Sequence, residues 1–172
     1  MSYFMVDIEA DGPIPGDYSM IALGAVKVEP GLEQGFVGYL RPISTQWVPE
    51  ALAVSGFSRE ATEDFEDPTQ VLLRFETWVK THNRGQATFV SDNNGFDWMF
   101  VCWYFHHFLG RNPFGHSSQN LGSLYKGWVK DCFQNFKHLR QTPHTHNPLD
   151  DARGNAEALL ALKAQGLKIS LK

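Results

Sequence analysis

Two carboxylates at the end of an apolar strand constrain this chain more than any other feature of its sequence. Tyr3 to Glu9 runs from aromatic and aliphatic residues into acid and breaks off at Asp11-Gly12-Pro13, a turn signal, so the segment reads as a strand. Strand side chains alternate faces, which sends Asp7 and Glu9 one way and Phe4, Val6 and Ile8 the other. Two like charges in one small patch repel unless a cation or a shared proton offsets them. The pair is therefore a candidate seat for a hard divalent ion. Two solvated surface acids would give the same short pattern, so the reading depends on further ligands elsewhere in the chain.

The totals narrow the setting. At 172 residues the chain is long enough for one well-buried domain and short for two. Hydrophobic content of 42% with 20% charged residues belongs to a soluble globular class. No apolar run approaches a membrane span and no secretory leader is visible, so a cytoplasmic protein without membrane contact is expected. Cys102 and Cys132 lack metal-finger spacing and read as buried, reduced thiols. A net charge of -4 argues against a large DNA-wrapping surface, because such binding needs many Lys and Arg contacts to phosphate. A single strand held mainly through metals stays within these bounds.

Ser19 to Val28 and Gly35 to Ile43 read as a second and third strand around the Pro30-Gly31 turn, giving an opening meander. Pro49 to Val54 suits a short helix, and the mostly acidic run from Arg59 to Asp67 reads as a solvated face. Asp67-Pro68-Thr69-Gln70 has the form of a helix start, after which Val71, Leu72, Phe75, Trp78 and Val79 share one face. Ala87 to Ser91 follows as a strand, then a polar loop leads into a helix over 97 to 109. Asp97 there is either a helix cap or a functional residue at a strand-to-helix junction. Between 111 and 147, Tyr125, Lys126, Trp128, Lys130, Phe133, Phe136, Lys137 and Arg140 interleave bases with aromatics. That composition suits phosphate contacts and base stacking, or equally an amphipathic helix with solvated lysines. Asn147-Pro148 opens the last helix, with Asp151 one turn in and His146 just before it. Leu167, Ile169 and Leu171 alternate with Lys168, Ser170 and Lys172 as a terminal strand or docking tail would. Strands and helices in this order predict an α/β domain with a mixed central β-sheet flanked by helices.

Asp7-Ile8-Glu9 on the first strand, Asn93-Asn94-Gly95-Phe96-Asp97 at a later junction, and His146-Asn147-Pro148-Leu149-Asp150-Asp151-Ala152 at the last helix resemble the DEDDh branch of the DnaQ-like 3'-5' exonucleases. Ile21-Ala22-Leu23-Gly24-Ala25-Val26 is similar to that family's second strand, and Val54-Ser55-Gly56-Phe57 to one of its loops. Each motif is short, but three in the right order on the right elements carry far more than any one. Two positions depart from the pattern: Asp92 stands where the family often has His, and Asn155 where it often has Thr.

The resemblance implies an RNase H-like fold over one domain spanning 1–172. It implies two divalent ions, Mg2+ or Mn2+, held by Asp7, Glu9, Asp97 and Asp151, with Asp7 bridging. It assigns His146 as the base that takes the proton of the attacking water, a task suited to an imidazole near neutral pH. Such ions neutralise charge on the attacking and leaving oxygens of a phosphodiester. The backbone of Ala10, Asp11 and Gly12, with Met20, Phe57 and Asn93, would bracket the terminal nucleotide, with packing as the alternative role of Met20 and Phe57. The expected substrates are 3' ends of single-stranded RNA or DNA, with RNA favoured because a compact, acidic, stand-alone domain resembles the RNA-processing members. A homodimer is within the expectation. The competing readings are a catalytically silent nucleic-acid-binding module of the same fold and a phosphodiesterase for a small nucleotide or cyclic oligonucleotide.

Overall fold

The alternation that separates Asp7 and Glu9 from Phe4, Val6 and Ile8 decides how the whole chain packs. A computed structural model describes residues 1–171. Its first strand, β1 (Ser2–Ala10), is the middle of a five-stranded sheet ordered β3-β2-β1-β4-β5. β2 (Met20–Lys27) and β3 (Gly35–Tyr39) extend it antiparallel on one side, while β4 (Ala87–Ser91) and β5 (Ser118–Asn120) run parallel on the other. The sheet is therefore mixed, and helices cover both faces.

Phe4, Val6 and Ile8 pack into one core with Leu23, Ala25, Phe36 and Phe89. That core is closed by α3 (Pro68–His82), through Val71, Leu72, Phe75 and Val79, and by α4 (Asn94–Tyr104), through Phe100, Val101 and Tyr104. Tyr3 and Met5 face the opposite way, onto α5 (Leu121–Val129) and α6 (Pro148–Ala164), where Tyr125, Ala152, Ala156, Leu159 and Leu162 make the second core. Asp7 and Glu9 continue the Tyr3–Met5 row. They emerge where apolar cover on the α6 side gives out. Burying each large apolar side chain in these cores contributes roughly 1.5–3 kcal/mol, enough to hold two charged residues in a place they would not choose.

The helix starts follow the sequence signals. Asp67 accepts a hydrogen bond from Thr69 N at 2.9 Å, and Asn147 accepts from Leu149 N at 3.0 Å and Asp150 N at 3.3 Å. Pro49–Val54 forms the short helix α1, and Arg59–Glu63 adds α2 within the run expected to be a solvated face. Other expectations are corrected. The helix expected over 97 to 109 begins at Asn94, ends at Tyr104 and continues as a π-helical turn, Phe105–Leu109, closed by Gly110 in the left-handed region. The stretch after 111 holds β5 and α5, but of its interleaved bases and aromatics only Tyr125, Lys126 and Trp128 lie on α5 and the others follow it; Tyr125 and Phe136 are buried, Lys126, Lys130 and Lys137 exposed. Residues 167–171 form no strand, and Lys172 lies outside the described residues. Cys132, in the loop after α5, is exposed, and Cys102, on α4, is half-buried.

One contact fixes where α6 begins. Gly24 of β2 is the register partner of Asp7, and a Cβ on Gly24 would overlap the backbone of Pro148 and Leu149. The missing side chain lets the helix N-terminus sit directly on the sheet. Gly24→Ala should lower the free energy of unfolding by about 1–3 kcal/mol through overpacking, read from the urea midpoint. The control Gly127→Ala, whose Cβ meets nothing, should leave stability unchanged or raise it by about 0.4–1 kcal/mol. Equal midpoints for the two variants would rule out Gly24 as the seat of α6.

Candidate active site

Carboxylates from three distant parts of the chain meet at the end of β1. Asp7, Glu9 and Asp151 each offer an oxygen, and the three oxygens lie within 4.8 Å of one another. Asp7 and Glu9 share a face of β1, and Asp151 comes one turn into α6 because Gly24 and the Asn147 cap set that helix start. Asp97 stands beside them in the first turn of α4. The pairing of β1 with β4 ends at Met5 and Val90, so the later part of β1 is free to meet α4, and the Ile8 amide hydrogen-bonds the Asp97 carboxylate. Asn93 rather than Asp97 precedes that helix, and its side chain makes no capping bond.

Burial and mutual repulsion make these acids hard to ionise. Asp7 is pushed well above its ordinary value, first by burial and then by the charges of Asp97, Asp92, Asp151 and Glu9. Burial and Asp151 raise Glu9 to about 7. Asp97 rises to about 8 through burial and Asp92, although hydrogen bonds from Ser91 and the Ile8 and Asn93 amides pull it down. Asp92, noted in the sequence only as a departure from the family pattern, thus belongs to the same field. No single motif shows this, because one acid just past a strand and another in the first turn of the next helix give no sign that both face one point.

Asp151 is the most heavily bonded member. Its Oδ1 accepts from Arg140 Nη2 at 2.7 Å and Thr145 N at 3.2 Å, with His144 Nδ1 at 2.8 Å, and its Oδ2 accepts from His146 N at 3.0 Å. His146 sits in the left-handed region at φ 59°, half-exposed, with Nδ1 3.9 Å from Glu9 Oε1. The His144 and His146 rings are 4.3 Å apart. Both imidazoles border the acids, so His144 joins a site for which the resemblance implied only His146.

The residues expected to bracket a nucleotide divide. Ala10 and Gly12 line an apolar cleft of about 380 Å³ together with Pro13, Val48, Ala51 and Phe96. Phe96 precedes Asp97, so the cleft adjoins the acids, and its size and apolar walls suit a nucleobase. Asp11 is engaged elsewhere: its N–H donates to Ser19 O, its carbonyl accepts from Val48 N, and its buried carboxylate pairs with Arg59 at 2.8 Å. Met20 is buried in the core, its N–H donating to the Tyr104 hydroxyl. Phe57 packs edge-on against Tyr39 and Phe65 and does not line the cleft. Both side chains make packing contacts in this structure. Phe96, Val48, Ala51 and the Arg59 strut escaped the sequence reading because they approach from separate elements.

The donor set suits a hard cation. It is almost all carboxylate oxygen, which Mg2+, Mn2+ and Ca2+ prefer. Asp97 Oδ2 is buried without a hydrogen-bond partner, as an oxygen awaiting a cation would be. Among the described residues, no helix is long and apolar enough to cross a membrane.

No family model matches the chain. It is 37% identical over 166 residues to the 3'-5' DNA exonuclease Cap18 of Escherichia coli, covering 90% of this chain and 88% of that protein. Among solved structures, it superposes on cell-death related nuclease 4 with a TM-score of 0.78 at 15% identity, covering 96% of this chain and 64% of that one. A 3'-exonuclease that recognises the 3' end of a histone mRNA stem-loop gives 0.78 at 17% identity, covering 99% and 84%. These likenesses at low identity establish the RNase H-like fold.

The raised carboxyls fix the sign of a pH effect. In the unfolded chain Asp7, Glu9 and Asp97 ionise near pH 4, whereas in the folded protein Glu9 holds its proton up to about pH 7 and Asp97 up to about pH 8, and Asp7 is shifted in the same direction. The folded state then binds more protons, so metal-free stability falls as pH rises through that window. Urea unfolding in EDTA should lose about 2–4 kcal/mol between pH 5 and pH 8, and Asp7→Asn should remove part of that slope. Equal slopes for parent and variant would mean that the acids are not buried together.

Proposed function

Because the chain belongs to the DEDDh branch of the DnaQ-like 3'-5' exonucleases, we propose that it removes nucleoside 5'-monophosphates one at a time from the 3' end of single-stranded DNA. The observation that carries this is the convergence of Asp7, Glu9 and Asp151 within 4.8 Å beside an apolar cleft of nucleobase size. DNA is preferred over RNA because the relative at 37% identity is named a DNA exonuclease. RNA, favoured from the compact and acidic character of the chain, is the second substrate to test. Retention of all five side chains expected of a working site, Asp7, Glu9, Asp97, His146 and Asp151, favours turnover over a silent binding module.

Asp7, Glu9, Asp97 and Asp151 would hold two divalent cations, Mg2+ or Mn2+. When bound, these would activate water and neutralise charge on the attacked phosphate. The chain's own residues would do the rest. The cleft between Ala10, Gly12 and Phe96 takes the terminal base, which leaves the preceding phosphodiester over the acids. His146, on its loop beside Glu9, accepts the proton of the attacking water. The water oxygen bonds to phosphorus, the bond to the 3' oxygen of the upstream nucleotide breaks, and that oxygen leaves with a proton from solvent.

The test is digestion of 5'-labelled single-stranded DNA and matched RNA with Mn2+, Mg2+ or EDTA. A ladder shortening from the 3' end, dependent on metal and absent in Asp7→Asn, is expected, faster on DNA. His146→Asn should lower kcat by roughly 10²–10⁴-fold with little change in KM, the usual weight of a positioned base. Unchanged kcat in that variant, or a matching loss only in His144→Asn, would move the role to His144. Intact substrate in every lane would leave the silent module or the small-nucleotide hydrolase.

A further inference from the structure

Arg140 lies at the end of the stretch that mixes lysines with aromatics, yet it does not share their setting. Lys126, Lys130 and Lys137 are exposed, whereas the Arg140 side chain is 7% exposed. A guanidinium so withdrawn from water needs a fixed partner, and it finds Asp151, whose side chain is fully buried. Room for it comes from α6 itself. Gly154 follows Asp151 by three residues on the same helical face, and a Cβ there would overlap Arg140 Nε and come within 2.8 Å of Arg140 Nη2 and Thr142 O. A glycine in mid-helix costs about 1 kcal/mol against alanine, and its position here is explained by the guanidinium lying over it.

The bonds around Asp151 are unequal. Oδ1 has Arg140, His144 and Thr145 as neighbours, while Oδ2 has the His146 N–H alone. Oδ1 is saturated. Oδ2 keeps a lone pair free, and a carboxylate held at one oxygen can turn only the other to a cation. Farther along α6, Glu157 accepts from Gln141 N, Thr142 N and Thr142 Oγ1 at 2.7–2.8 Å, so the chain just after Arg140 is tied to the same helix.

We infer that Arg140 is a positioning residue: seated over Gly154, it holds Asp151 by Oδ1 so that Oδ2 faces the cation site, and it anchors the loop carrying His144 and His146 above the acids. This rests on the metal-dependent reading given under Proposed function. Arginine suits the task better than lysine because its planar fork fixes direction as well as charge. Groups that orient a metal's ligands usually change metal affinity by 10–100-fold when removed, whereas a buried ion pair on its own adds little dependable stability.

The test is Mn2+ titration of the EDTA-stripped protein followed by electron paramagnetic resonance, with melting curves and steady-state kinetics alongside. Arg140→Gln should weaken Mn2+ binding 10–100-fold and lower kcat while KM for the oligonucleotide stays put; Arg140→Lys should fall between it and the parent. A folded Arg140→Gln that binds Mn2+ as the parent does overturns the proposal. Should that variant fail to fold, Gly154→Ala, which displaces the guanidinium without deleting it, decides. Weakened Mn2+ binding in the folded variant supports the proposal, and parent-like binding overturns it. A parent protein that binds no Mn2+ fails the metal reading itself and this inference with it, which separates the two.

Discussion

Like charges forced together out of water are the constraint on which this structure turns. Asp7, Glu9, Asp92, Asp97 and Asp151 share one field, and burial is the first cause holding Asp7, Glu9 and Asp97 in their protonated forms. Left to itself such a patch would loosen. What keeps it assembled is apolar packing on both sides of β1 and a few specific supports: the gap at Gly24, the Asn147 cap and the Ile8 amide on Asp97. The protein gives up stability for a site whose repulsion a bound proton or a cation must relieve, a trade common where function needs strained chemistry.

The two halves of the site differ in stiffness. Asp7, Glu9, Asp97 and Asp151 stand on β1, α4 and α6, whose inner faces are core. The imidazoles stand on an exposed loop, with His146 in a backbone region uncommon for anything but glycine. Rigid elements thus carry the groups that set charge geometry. An exposed loop carries the group proposed to exchange a proton, and α6 holds that loop through Asp151 and Glu157.

What was legible in the sequence was whatever depends on local periodicity. Alternation along β1 put Asp7 with Glu9, the Asn147-Pro148 start placed Asp151 one turn into its helix, and Asp67-Pro68 marked α3. What stayed hidden depends on which distant element arrives opposite. Arg140 looked like one more base among Lys126, Lys130 and Lys137 until Gly154 gave it a cavity. Asp92 looked redundant beside Asp97. Arg59 sat in an acidic run, and only the fold reveals that it reaches the buried Asp11. Met20 and Phe57 carried the right chemistry for stacking, but the core had a prior claim on one and an aromatic cluster on the other. Periodicity tells which way a side chain points, and it is silent on what waits there.

Asp7 and Asp151 come from nearly opposite ends of the chain, and Gly24 joins them through a contact as tight as backbone on backbone. Neither a lone hairpin nor a lone helix can approximate that meeting. Turnover therefore gauges complete long-range assembly: a collapsed intermediate rich in native helix and strand would be spectroscopically convincing yet chemically dead. During refolding, the return of cleavage should report the docking of α6 on the sheet, whatever the rest of the chain has already formed.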